Sequence, residues 1–320
     1  MTETHPRHTA VIALGGNALS PAKHSTIYDQ FRHTREALAP IIELALDGWN
    51  VCLVHGNGPQ VGDELLRNEM ARNEVSPLPL GVLVAATAGW MGYMVQQSLE
   101  NLLRRSGSRR DVATVITQVH VAPDDAALTN PEKFIGHEIP KDRAAALSSE
   151  GLVIKPDGRK RLRRVVGSPV PLAIHELEVI RHLVDRGTIV VACGGGGAPI
   201  YYDNKLQGWE GVDAVVDKDL ASAVLARDLN AELLMILTDV DAIYVDWGKP
   251  TQRALRTLSV SDAEKMDAER AFGEGSMAPK VRAAISFVRR TGGRAVITEL
   301  SRGLDAVRGE SGTTITAESA

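Results

Sequence analysis

Four short apolar runs, each cut off by a glycine-rich or acidic turn, constrain this chain more than any other feature. The first is Ala10–Leu14, which stops at Gly15-Gly16-Asn17. NVCLV then runs into His55-Gly56-Asn57-Gly58, TIVVAC into Gly194-Gly195-Gly196-Gly197, and ELLMILT into Asp239-Val240-Asp241. Runs of this length bounded by glycine read as buried parallel strands. Glycine permits tight turns and close approach of another group, and free N–H groups in such turns make an anion cradle. Four consecutive glycines between ordered segments point to a close approach of backbone to ligand at Gly195 and Gly196.

Helical patterns separate the strands. VGDELLRNEM, the uncharged stretch ending in Gln96-Gln97-Ser98, NLLRRSG and HELEVIRHLVDRG each read as a helix, and DVATVITQV as a single strand. A helix starts near Asp217, a capped helix at Ser261 with Glu264 closing a capping box, and another at Pro279. Strands alternating with helices predict an α/β fold with a mostly parallel, doubly wound sheet. Ligands bind such sheets at the carboxyl ends of the strands. All four turns lie there and should converge on one edge, which favours a shared phosphate site.

Residues 122–171 differ in character, being rich in Pro, Asp, Lys and Arg. Within them GLVIKPDGRKRLRRVV reads as two strands joined across Asp157-Gly158. The basic run from Lys155 to Arg164 is either a solvated face or a lid bringing positive charge to an anionic ligand.

Two lysines break a local rule. Lys218 and Lys280 fall in the first turn of predicted helices, where a cation opposes the helix dipole at a cost of about 0.3–1 kcal/mol. One such lysine is most simply a side chain reaching solvent. Two aimed at the same edge as the glycine turns suit an anionic substrate, because phosphoryl transfer is catalysed by positioning and charge stabilisation. Asp217 and Asp219 are an N-cap and a first-turn acid, or Asp219 orients the lysines or a metal-bound nucleotide. His55 reads as a hydrogen-bonded structural histidine.

Composition removes other classes. A net charge of −4 and 4% aromatic residues give no footprint for nucleic acid. Val75–Leu99 is uncharged but contains three glycines and polar ends, which fits a core helix better than a membrane span. Cys52 and Cys193 sit in apolar strands with no metal-ligand spacing, as buried reduced thiols of a cytoplasmic protein. No GxxxxGK[ST], no GxGxxG opening a βαβ unit and no GxSxG occurs.

The segments ALGGNAL, VHGNGPQVGDELL, ATVITQV, NPEKFIG, SPVPLAIHELEVI, ACGGGGAPI, GVDAVVDKDLAS, LTDVDAIYVDWGKP and GSMAPKVRAAISFV stand in order between Ala10 and about Ile315. In these segments the chain resembles the carbamate kinases of the amino-acid-kinase superfamily. The resemblance implies a three-layer α/β/α sandwich with a protruding charged lid subdomain. One domain would span 10–315, with the lid inserted at about 122–171 and short tails at 1–9 and 316–320. It also implies a homodimer and reversible phosphoryl transfer from carbamoyl phosphate to ADP, giving ATP and carbamate, with Mg²⁺ carried by the nucleotide.

By motif, Gly15, Gly16, Asn17, Gly56, Asn57 and Gly58 would cradle the transferred phosphate. Lys133 would be the lid lysine, Lys218 and Lys280 would stabilise transition-state charge, and Asp219 would organise them. Adenosine would lie against Thr238, Asp239, Asp241 and Tyr244, near Met277. The chain departs from the family pattern at Thr87-Ala88-Gly89, where the family has TQG. It departs again at Leu162 in place of Trp, and at Val166-Gly167-Ser168-Pro169 in place of VPSP. Two other readings stay open at this point: a sister kinase acting on another small carboxylate, and a non-catalytic nucleotide or metabolite sensor.

Overall fold

The structure, a computed structural model, describes residues 8–19, 26–158, 160–272 and 277–318, with only the backbone of Asn17 and Ala18. The outermost parts of both expected tails, 1–7 and 319–320, lie outside the described residues.

Eight strands form the central sheet: β1 Thr9–Leu14, β2 Asn50–His55, β3 Val112–Thr114, β4 Ile189–Val191, β5 Leu233–Thr238, β6 Thr257–Ser259, β7 Arg294–Glu299 and β8 Thr313–Thr316. Their order across the sheet is β6-β8-β7-β5-β1-β2-β4-β3. All neighbours run parallel except β7 and β8. The central strand β1 is buried throughout, as expected when both faces of a parallel sheet are covered.

Alternation along β1 divides the core in two. Val11 and Ala13 point into one cluster with Leu225, Val281, Ala284 and Phe287, from the helices Lys218–Asp228 and Met277–Thr291. Ala10, Ile12 and Leu14 point into the other with Leu38, Ile41, Met91 and Leu99. The two clusters make the three layers. A third cluster, with Val61, Leu65, Val84, Ile135 and Val166, lies beneath a separate three-stranded sheet of Lys133–Ile135, Leu162–Val166 and Ile154–Pro156. The hairpin expected across Asp157-Gly158 therefore forms, with Lys155 opposite Arg163.

Some boundaries differ from the sequence reading. The uncharged stretch and NLLRRSG are one 26-residue helix, Leu80–Arg105. Its glutamines do not end it, because the Gln96 side chain accepts a hydrogen bond from the Thr114 amide at the sheet edge, 3.0 Å away. DVATVITQV is split between β3 and the strand Gln118–His120 of a second sheet. Thr117 lies between the two, its hydroxyl 2.8 Å from the Val115 carbonyl, and it also accepts from the Cys193 amide. The helix expected at Ser261 begins at Val260; its cap is Ser259, which accepts from the Asp262 amide at 3.0 Å. Strand β8 escaped the reading because its four residues, three of them threonine, show no apolar run. It enters the sheet after Gly312, which has φ +81°.

Candidate active site

The glycine turns meet as their places at strand ends predict. Leu14 and His55 are register partners, and the Gly56 amide donates to the Leu14 carbonyl across 2.9 Å. Gly16 and Gly56 then face each other so closely that a methyl group on Gly56 would lie 2.9 Å from the Gly16 nitrogen and 3.1 Å from Lys218 Cδ. Any side chain there would displace either backbone or lysine. The third turn closes on the second: Gly194 abuts His55, and Gly195 abuts the Asn57 side chain. Cys193, Gly195, Gly196 and Gly197 all have positive φ, at 48°, 69°, 95° and 86°. A run of left-handed residues explains why glycine fills most of this turn.

Asn57 is fixed from behind. Its amide Nδ2 donates to Thr87 Oγ1 at 2.8 Å, and the Thr87 hydroxyl lies 2.9 Å from the carbonyls of Leu83 and Val84 in its own helix. Both side chains are buried. Gly58 opens the helix Gly58–Ala71 directly after this turn. The side chain of Asn17 lies outside the described residues.

The charged groups are set by two helix starts. Asp217 caps Lys218–Asp228, accepting from the amides of Asp219 at 2.9 Å and Leu220 at 3.3 Å. That cap places Lys218 and Asp219 in the first turn. Lys218 Nζ pairs with Asp219 Oδ1, and Lys280 Nζ, from the neighbouring helix Met277–Thr291, lies 3.0 Å from Asp219 Oδ2. Lys133 Nζ, on the strand Lys133–Ile135, pairs with Asp217 Oδ2. Burial disfavours ionisation of Asp219, but Lys218 and Lys280 outweigh it and hold the carboxyl far below the usual carboxylate range. Asp217 is also lowered, because Lys133 prevails over burial. Burial pushes the Lys218 ammonium down, whereas in Lys280 attraction to Asp219 overcomes burial and raises it.

Asp217 carries more than its sequence position revealed. It is both the cap and the counter-ion of Lys133, and the alternation Asp217-Lys218-Asp219 was the available signal. Thr87 has no local signal as a support, whereas His55 is the buried structural histidine that the sequence suggests. His55 is fully buried, with Nδ1 3.3 Å from the Gly56 carbonyl, and burial lowers its pKa to about 4.

The predicted nucleotide residues form a neighbouring group. The Thr238 hydroxyl donates to Asp239 Oδ1 at 3.1 Å, and the Tyr244 hydroxyl to Asp241 Oδ1 at 2.7 Å. The charge of Asp239 acts on Lys280, which ties this group to the lysine pair. Met277 starts the helix that carries Lys280 and packs, half-buried, against the core. Beside Lys133 a cavity of about 290 Å³ is lined by Ala126, Ala127, Asn130, Glu132 and Ser168. A larger opening of about 790 Å³, lined by His8, Trp49 and Arg294 among others, contains none of the predicted residues.

Among the described residues no group of three or more His, Cys, Asp or Glu could hold a metal ion. Asp217 and Asp219 are committed to lysines and backbone amides. This donor set fits a Mg²⁺ that arrives on nucleotide phosphates better than one held in an all-protein cage. No helix among the described residues is long and apolar enough to cross a membrane.

Comparison with known proteins shows the family. The amino acid kinase family matches residues 8–299. Carbamate kinase of Pyrococcus horikoshii is 42% identical over 96% of this chain and 98% of its own length. That of Haemophilus influenzae is 45% identical, with 96% of each chain covered. Among solved structures, carbamate kinase from Giardia lamblia bound to AMP-PNP superposes with a TM-score of 0.88 at 38% identity, over 97% of this chain and 99% of the other. The same enzyme bound to citric acid gives a TM-score of 0.91.

Proposed function

The chain belongs to the amino acid kinase family and within it to the carbamate kinases, and from that premise we propose how its residues carry the reaction. The reaction is phosphoryl transfer between carbamoyl phosphate and ADP, giving ATP and carbamate, and it is reversible. One observation carries the residue assignment: Lys218 and Lys280 are gathered on the two oxygens of one buried carboxylate, beside the converging glycine turns.

In this reading the backbone of Gly15, Gly16, Gly56, Asn57, Gly58, Gly195 and Gly196 holds the transferred phosphate. Lys218 and Lys280 face the charge that develops on its oxygens. Asp219 keeps both ammonium groups in place and pre-oriented, so that little reorganisation is needed as charge moves. Lys133 brings a third cation from the lid to the acyl end. ADP lies against Thr238, Asp239, Asp241 and Tyr244, near Met277, and Mg²⁺ bound to it neutralises phosphate charge. No side chain forms a covalent bond to the phosphoryl group.

A homodimer and a cytoplasmic location belong to the same proposal. The helix Leu80–Arg105 exposes Val82 and Tyr93 on an uncharged face, and Ile116 is exposed close to its Gly89. Exposed apolar side chains on one helix face and beside it support association of two copies. Cys52 and Cys193 are both buried free thiols.

The deciding assay is ATP formation from ADP, carbamoyl phosphate and Mg²⁺ by the purified protein, with Lys218→Ala alongside. The parent is expected to make ATP rapidly, and the folded variant to lose most of that activity. Parent-like turnover in Lys218→Ala would remove Lys218 from the mechanism.

A further inference from the structure

The lid strand that begins at Lys133 meets the body of the protein at one unusual contact. Gly62 lies inside the helix Gly58–Ala71, where glycine sacrifices helix propensity. A methyl group on Gly62 would overlap the Gly136 α-carbon and stand 2.6 Å from the Gly136 nitrogen. Backbone therefore rests directly on backbone, and no other residue fits. Gly136 has φ +66°, its amide donates to the Gly58 carbonyl at 3.2 Å, and its carbonyl accepts from Arg163 Nη2 at 2.7 Å.

Further along the same helix, Glu69 divides its carboxylate between two lid arginines. Arg143 Nη2 donates to Oε2 at 2.6 Å, and Arg164 Nη1 to Oε1 at 3.1 Å. Arg164 is the register partner of Ile135, and Lys133 that of Val166, in one antiparallel ladder. Ile135 and Val166 share one buried apolar cluster with Val61 and Leu65 of this helix. The helix that starts at the phosphate turn thus meets the lid at two points, at Gly136 just past the strand Lys133–Ile135 and at Arg164 on the neighbouring strand of its ladder. The strand's first residue, Lys133, reaches Asp217.

We propose that Gly62 and Glu69 are positioning residues for Lys133: the Gly62–Gly136 seat and the Glu69 fork fix the distance between the lid lysine and the phosphate turn. The proposal rests on the role given to Lys133 above. Positioning matters at this scale because a misplacement of roughly 1 Å can cost about a hundredfold in rate.

The test compares Gly62→Ala, Glu69→Gln and Lys133→Ala with the parent. It measures thermal unfolding, ADP binding by calorimetry, kcat and KM for carbamoyl phosphate, and hydrogen exchange of the amides in 133–136 and 162–166. For Gly62→Ala the expectation is a lowered unfolding temperature, because the added methyl group cannot fit against the Gly136 backbone, with ADP affinity unchanged. Its kcat/KM for carbamoyl phosphate should fall by about a hundredfold, with faster exchange in both lid strands. Glu69→Gln, which keeps an oxygen and hydrogen-bonding capacity, should show the same pattern more weakly.

Parent-like kinetics and exchange in both variants, with Lys133→Ala inactive, overturn the positioning role and leave Lys133 standing. Full activity in Lys133→Ala overturns the role of Lys133 itself, and the positioning role with it. If Gly62→Ala fails to fold, Glu69→Gln decides: slowed turnover with intact ADP binding supports the proposal, and parent-like turnover rejects it.

Discussion

Lys280 reaches Asp219 from a different helix, 61 residues further along the chain, and its Nζ lies 3.0 Å from Oδ2. The other oxygen of the same carboxylate is taken by Lys218. Two cations at helix starts, each unfavourable to its own helix dipole, are reconciled by one buried anion.

Removing that anion should expose the arrangement. Asp219→Asn leaves two largely buried ammonium groups without their counter-ion, and breaking a buried pair in this way costs about 3–5 kcal/mol. The variant is expected to unfold at lower denaturant in an equilibrium titration and to lose nearly all ATP formation. Unchanged stability would mean that the lysines are solvated and that Asp219 does not organise them.

Acid should weaken the fold through His55. Its folded pKa, about 4, lies below the ordinary value of 6.5 because burial disfavours the imidazolium. Between those values the unfolded chain binds more protons than the native one, so stability falls as pH drops from 6.5 towards 4. The full difference is about 3 kcal/mol. Asp219 acts in a lower window: its depressed pKa contributes stability above the unfolded value of 3.8 that is lost as pH falls below it. Melting curves recorded every half unit of pH should therefore slope between pH 6.5 and 4. In His55→Gln that slope should be reduced, and an unaltered slope would assign it to other groups.

The support behind Asn57 gives a third expectation. Thr87→Val preserves shape but removes the acceptor of the buried Asn57 amide. An unsatisfied buried donor costs about 1–3 kcal/mol. Lower stability should accompany a raised KM for carbamoyl phosphate, because Asn57 belongs to the phosphate turn. Calorimetric unfolding and steady-state kinetics on one preparation check both, and a stability loss with unchanged KM would confine Thr87 to the fold.

The sequence reading recovered what local rules encode. Strands β1, β2, β4 and β5 were legible because apolar runs end at glycine or aspartate, and Lys218 and Lys280 because each offends a helix dipole. What escaped depends on distant pairing. Asp217 looked like a simple cap because its partner, Lys133, lies 84 residues away. Nothing local marks Gly62, inside its helix, as the seat of Gly136, which lies 74 residues further along the chain. The helix Leu80–Arg105 was read as ending at its glutamines, since nothing local reveals that Gln96 serves the sheet edge.

The nucleotide side yields the last prediction. The Tyr244 hydroxyl donates to Asp241 Oδ1 at 2.7 Å, and its ring meets Trp247 edge-on at 5.2 Å. Both contacts hold the segment after Thr238, against which adenosine is placed. Tyr244→Phe keeps the ring contact and frees the Asp241 carboxylate, which is exposed enough to be hydrated at little cost. The mutation should therefore leave the unfolding temperature near the parent's. Loss of the hydroxyl loosens only the adenosine side, so KM for ADP should rise by severalfold, a loss of about 1 kcal/mol typical of one hydrogen bond. Because the lysine pair and Asp219 are untouched, kcat should stay close to the parent value, the signature of an interaction made equally in ground and transition states. A fall in kcat with KM for ADP unchanged would place Tyr244 with the reacting phosphate instead.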